Sequence, residues 1–180
     1  MSYFLAISGS PSKLSRNNFL LPSIFDRLVS YEIGLRTTHA VELEPSAPDA
    51  SKRLADLVTT VHDAQAIVLI TPVPSEDWAG SMKTLLQFLP AGAFQHSPVL
   101  LIGTGGFINE LTDLENSVIR EITRLHGHLA LSSIHIGPKN WVFSLSQPPA
   151  LTAGTEARLA RALDRLHALA VETRTVSLAA

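Results

Sequence analysis

"YFLAISGSPSKLSRNNF" (residues 3–19) changes character at Gly9. Residues 3–8 form a short apolar run closed by Ser8, the composition of a strand buried on both faces of a parallel sheet. Then come three serines (Ser10, Ser12, Ser15), two cations (Lys13, Arg16), two amides and a Gly-Ser-Pro turn. From about Asn18 to Ser30, Phe19, Leu20, Ile24 and Leu28 recur at helical spacing. Pro22 has no amide hydrogen and is tolerated only in a first turn, so the helix starts at or after Phe19. A buried strand that feeds a helix through a polar turn is one β-α unit. The fold depends on whether that unit repeats.

It does. "RTTHAVEL" (36–43) reads as a weaker, β-branched strand, and "SAPDASKRLADLVTTVHDA" supplies Pro and Asp start signals and a helix carrying Leu54, Leu57, Val58 and Val61. "AIVLIT" (66–71) is a strand, "WAGSMKTLLQFL" (78–89) a helix and "PVLLIGT" (98–104) another strand. "LTDLENSVIREITRLHG" (111–127) sets Leu111, Leu114, Val118, Ile122 and Leu125 on one helical face. "LALSSIHI" (129–136) reads as the fifth strand, and residues 154–171 as a last helix with Leu159, Leu163, Leu166 and Leu169 inward. Five such units with apolar strands predict an α/β, doubly wound parallel sheet covered on both faces. Between them, "GPKNWVFSLSQPPALTAG" (137–154) has no sustained period and reads as a long loop with a short strand at "WVF"; loops of that length in compact domains are often functional.

Composition narrows the chemistry. With 14 Lys+Arg against 16 Asp+Glu the net charge is -2, so no broad basic field points to nucleic acid or an anionic membrane. The absence of cysteine removes disulfides, thiolate catalysis and cysteine-ligated metals. The amino-terminal stretch lacks a basic n-region and a full h-region, and no apolar run reaches the ~20 residues that span a bilayer, so a cytoplasmic protein without a membrane segment is expected. The 180 residues suit a single domain, 1–180.

In an open α/β sheet ligands bind beyond the carboxyl ends of the strands. Three segments lie there: "SGSPSKLSRNN", "TPVPSEDWAG" and "GTGGFINE". In the first, a loop entering a helix presents unpaired amide hydrogens and the positive end of the helix dipole, Ser10, Ser12 and Ser15 add hydroxyls, Asn17 an amide, and Lys13 and Arg16 charge. That set suits a phosphate, although a capped helix start uses the same residue types. The P-loop ending Gly-Lys-Ser/Thr is missing, Ile108 breaks a dinucleotide fingerprint at Gly103 and Gly105, and Ser10 and Lys13 lack the companions of a serine acyl-enzyme. His126 and His128 flank a helix end and His135 sits in the last strand, with no ligand set for a metal. Glu76 and Asp77 read as solvated acids and Trp78 as an anchor opening a helix.

Taken together the three segments resemble the NADPH-dependent FMN reductases of flavodoxin-like fold, nearest to the reductase components of alkanesulfonate monooxygenase systems. The likeness lies in Gly9-Ser10-Pro11 with Ser15-Arg16, in Thr71-Pro72-Val73 with Gly80 and Lys83, and in Gly103-Thr104-Gly105-Gly106. The resemblance implies a five-stranded sheet of order 2-1-3-4-5 and a bound FMN. The phosphate would lie on Ser10, Ser12, Ser15, Arg16 and Asn17. The isoalloxazine would lie against Pro72, Val73, Pro74 and Ser75, with Thr104, Gly105 and Gly106 bringing backbone close. NADPH (or NADH) would supply hydride, and electrons would pass to a second flavin for a partner flavin-dependent monooxygenase; no catalytic side chain is implied, since the chemistry belongs to the cofactor. Pro74 replaces an aromatic residue of the family pattern and Asn116 a tyrosine associated with flavin transfer. Two other readings therefore stay open: a reductase of quinones or azo compounds with fixed flavin, and a flavodoxin-like binding module without turnover. The resemblance also implies a homodimer or homotetramer, and Ile119 widens the apolar face of the fourth helix.

Overall fold

The computed structural model describes residues 2–10, 15–43, 49–73 and 80–179. Strands β1 (Tyr3–Ser8), β2 (Gly34–His39), β3 (Ala66–Pro72) and β4 (Pro98–Thr104) alternate with helices α1 (Leu21–Val29), α2 (Ala50–Asp63), α3 (Gly80–Phe88) and α4 (Ile108–Arg124). Two short strands follow, β5 (His128–Leu129) and β6 (Ile134–Ile136), then a hairpin of β7 (Trp141–Val142) and β8 (Ala150–Leu151), and finally α5 (Ala153–Ala179). The main sheet runs β2-β1-β3-β4-β5, with β6 also on β4, and every pairing in it is parallel. This is the order the sequence resemblance implied.

The strand period of two divides the apolar residues between the faces. Leu5, Ile7, Ile67, Leu69, Val99 and Leu101 pack against α2, α3 and α4, while Phe4, Ala6, Val68, Ile70, Leu100 and Ile102 pack against α1 and α5. Burial on both sides is why these strands read as continuous apolar runs. Along the second face α1 is tied to α5. Arg27 donates from Nε and Nη2 to the two carboxylate oxygens of Asp164 (2.5 and 2.6 Å), the Tyr31 hydroxyl donates to Asp164 (2.9 Å), and Tyr31 stacks on His167 with ring centroids 4.3 Å apart.

Four boundaries differ from the sequence reading. The second strand is Gly34–His39, not 36–43, because the chain closes into a 3-10 turn at Ala40–Leu43 that buries Ala40 and Leu43. The fifth strand is interrupted, since Ala130 bonds Val99 but Ser133 turns out to give its hydroxyl to Glu115 of α4 (2.9 Å). Between them they cover the edge expected of one strand. The fourth helix begins at Ile108, three residues before the expected start, where Glu110 caps it. The last helix continues to Ala179, past the expected 171, and Arg174 reaches the Asp63 carbonyl at the end of α2 (2.9 Å). The long loop contains the expected short strand at Trp141, paired with Leu151.

Candidate functional site

The strand order reverses around β1, and the turns leaving β1, β3 and β4 meet at that reversal. β1 continues its ladder one residue further, Gly9 donating to the Ile70 carbonyl (2.8 Å). A Cβ on Gly9 would sit 2.8 Å from the Met82 Cβ and 3.1 Å from the Thr71 hydroxyl, so a glycine is what lets the chain leave between β3 and α3.

One buried amide joins the three turns. Asn17, in the 3-10 turn Arg16–Leu20 that precedes α1, is 2% exposed; its Nδ2 donates to the Ile70 carbonyl (3.1 Å), and the Thr104 hydroxyl donates to its Oδ1 (2.5 Å). Thr104 in turn accepts the Val73 amide hydrogen at its carbonyl (2.7 Å). Asn17, expected on the ligand, thus anchors the first turn to the other two. Pro72 lies opposite Thr104 in register.

The walls of the site are hydroxyls and bare backbone. Ser15 has extended backbone just before the 3-10 turn, and its hydroxyl is buried without a hydrogen-bond partner among the described residues. Ser10 is 4% exposed. Gly105 and Gly106 have φ of +75° and +52°, and a Cβ on Gly106 would run into the Val73 backbone and lie 2.7 Å from a Glu110 carboxylate oxygen. That carboxylate accepts the Phe107 amide hydrogen (2.7 Å) and caps α4. Arg16 is exposed, its guanidinium carbon 5.6 Å from the ring centroid of Phe143 in the long loop. The expected Ser12, Pro74 and Ser75, with Lys13, Glu76, Asp77 and Trp78, lie outside the described residues.

Two contributors escaped the sequence reading. Phe143 belongs to the loop singled out for its length, but nothing in its neighbourhood marks it as a partner for Arg16. His135, expected only as a residue of the last strand with no metal-ligand set around it, is the middle residue of β6, with its Nε2 2.7 Å from the Gly105 carbonyl.

These residues suit the group the resemblance implied. A phosphate ester fits a helix entrance with a buried hydroxyl lacking a protein partner. A flat ring fits a turn where two glycines leave main chain uncovered. Among the described residues no cluster of His, Asp or Glu could hold a metal ion, and no helix is long and apolar enough to cross a membrane.

Comparison with known proteins agrees. An FMN reductase (NADPH) of Pseudomonas putida is 30% identical over an alignment covering 96% of this chain and 91% of that one. An FMN reductase (NADPH) of Escherichia coli is 24% identical over 89% of this chain and 85% of its own. Among solved structures, an NADH:FMN oxidoreductase in its apo form superposes with a TM-score of 0.76 at 22% identity, covering 92% of this chain and 88% of that one, which speaks for the fold. The sequence model described as NADPH-dependent FMN reductase matches residues 3–138, a span that contains all three turns, and the chain belongs to that family.

Proposed function

We propose that this protein is an NADPH-dependent FMN reductase whose flavin lies across the turns after β1, β3 and β4. Bound FMN supplies a ring that takes hydride from the nicotinamide, so the chain's own task is to hold and orient two small molecules. Ser15, Ser10 and the amides entering α1 hold the phosphate, with Arg16 supplying charge at the rim. Val73, Gly105 and Gly106 give the ring an apolar and main-chain bed. The observation that carries the phosphate assignment is the buried, unpartnered Ser15 hydroxyl at the helix entrance. Ser12, Lys13, Pro74 and Ser75 are assigned to the same site on the family pattern alone.

Titration with FMN, followed by flavin fluorescence quenching, tests this directly. Saturable quenching is expected in wild type, and Ser15→Asp, which sets a like charge beside the phosphate, should weaken it about tenfold or more. Equal affinity in both proteins would move the phosphate elsewhere. Steady-state NADPH oxidation should be supported by free FMN, as in a reductase that serves a flavin-dependent monooxygenase. Turnover with a quinone or an azo dye but not with added FMN would instead indicate a fixed flavin. We place the protein in the cytoplasm as a homodimer or homotetramer, a reading favoured by Ile108 and Ile119, exposed on one stripe of α4.

A further inference from the structure

We propose that His135 is a positioning residue for the flavin: it fixes the Gly105–Gly106 peptide so that the Gly106 N–H is presented as a donor to the isoalloxazine. This rests on the FMN reading above. The Gly105 carbonyl can only accept, so the Nε2 of His135 carries the hydrogen across the 2.7 Å contact. In a trans peptide the C=O and the next N–H point in opposite directions, so a Gly105 carbonyl held toward β6 turns the Gly106 N–H away from β6. Among the described residues that N–H has no acceptor. Gly105 is gripped twice by the same segment, since its own N–H donates to the Ile136 carbonyl (2.9 Å). Two further contacts seat the histidine. Arg158 donates to the His135 carbonyl (2.6 Å), and the ring lies against Gly137, where a Cβ would stand 2.8 Å from Cε1. With φ of +75° and +52°, two glycines in succession would otherwise sample many backbone states. The imidazole selects one of them.

The experiment compares wild type with His135→Leu, His135→Gln and Gly137→Ala. FMN affinity is read by fluorescence quenching, the bound flavin by its visible spectrum, and the ligand-free protein by the Gly106 amide resonance in 15N-1H NMR. His135→Leu should raise the FMN Kd about tenfold, alter the flavin band and move the Gly106 resonance. His135→Gln, whose Nε2 can donate from a similar position, should stay within about threefold of wild type and restore the resonance. Gly137→Ala displaces the ring without removing it and should match His135→Leu, which keeps the test open if the leucine variant does not fold. Wild type that binds FMN while His135→Leu and Gly137→Ala bind equally well overturns the positioning role alone. Wild type that does not bind FMN overturns both this role and the cofactor reading.

Discussion

Removing Asn17 strips the Ile70 carbonyl and the Thr104 hydroxyl of their shared partner in a place water does not reach. Asn17→Ala should therefore cost about 1–3 kcal/mol in chemical denaturation of the ligand-free protein. Gly106→Ala forces a Cβ against the Val73 backbone at a positive φ, and should abolish measurable FMN quenching while leaving far-ultraviolet circular dichroism in place. At this scale the sequence revealed types better than directions. Ser, Thr and Gly at three strand ends marked a candidate ligand site because few other residues let main chain approach a ligand. It could not say that Asn17 faces inward while Ser15 keeps a free hydroxyl, because that depends on which way a 3-10 turn rolls onto β3. His135 was invisible for a related reason, since its partner is a main-chain carbonyl 30 residues away.

The seam between α1 and α5 carries a pH dependence. Hydrogen bonds from Arg27, set against the opposing cost of burial and joined by the Tyr31 hydroxyl, hold the Asp164 carboxyl below its ordinary 3.8. A carboxyl held low contributes its stability in full above the ordinary value and loses it as pH falls through the lower, folded one. Asp164→Asn should consequently lower the melting temperature at pH 7, and the gap to wild type should close in acid below pH ~3. On the other face of the sheet α4 closes with His126 in the left-handed region (φ +60°), Gly127 donating to the Ile122 carbonyl and His126 to that of Thr123. The glycine stands one residue late because it packs on Phe94, where a Cβ would lie 2.8 Å from the phenylalanine Cβ. His126→Gly should raise stability by about 0.5–1 kcal/mol, read by thermal melting. Helices were legible here because their apolar faces repeat. Strand ends were not, because the departures at Ala40 and Ser133 answer to α3 and α4 rather than to any local pattern.

For the whole molecule, alternation of apolar runs and amphipathic stretches determines a doubly wound sheet, since right-handed crossovers leave few other arrangements. Strand order came from the family likeness and agrees with the pairing found. Assembly is the level with least internal record. Ile108 and Ile119 stand three turns apart on α4, 69% and 41% exposed, with Phe107 next to Ile108 at 74%. If copies meet there, light scattering should give at least twice the 19.4 kDa chain mass, and Ile119→Arg should reduce it to one. A wild-type mass of one chain would assign the stripe another role.

The link between Asn17 and Thr104 spans 87 positions. During synthesis on a ribosome the first turn emerges early, but the strand that steadies it must be translated, released from the exit tunnel and inserted beside β3 before the turn can be held. Nascent chains halted short of residue 98 should accordingly capture no cofactor, however long they are given. Capture of flavin is thereby deferred to the later part of translation.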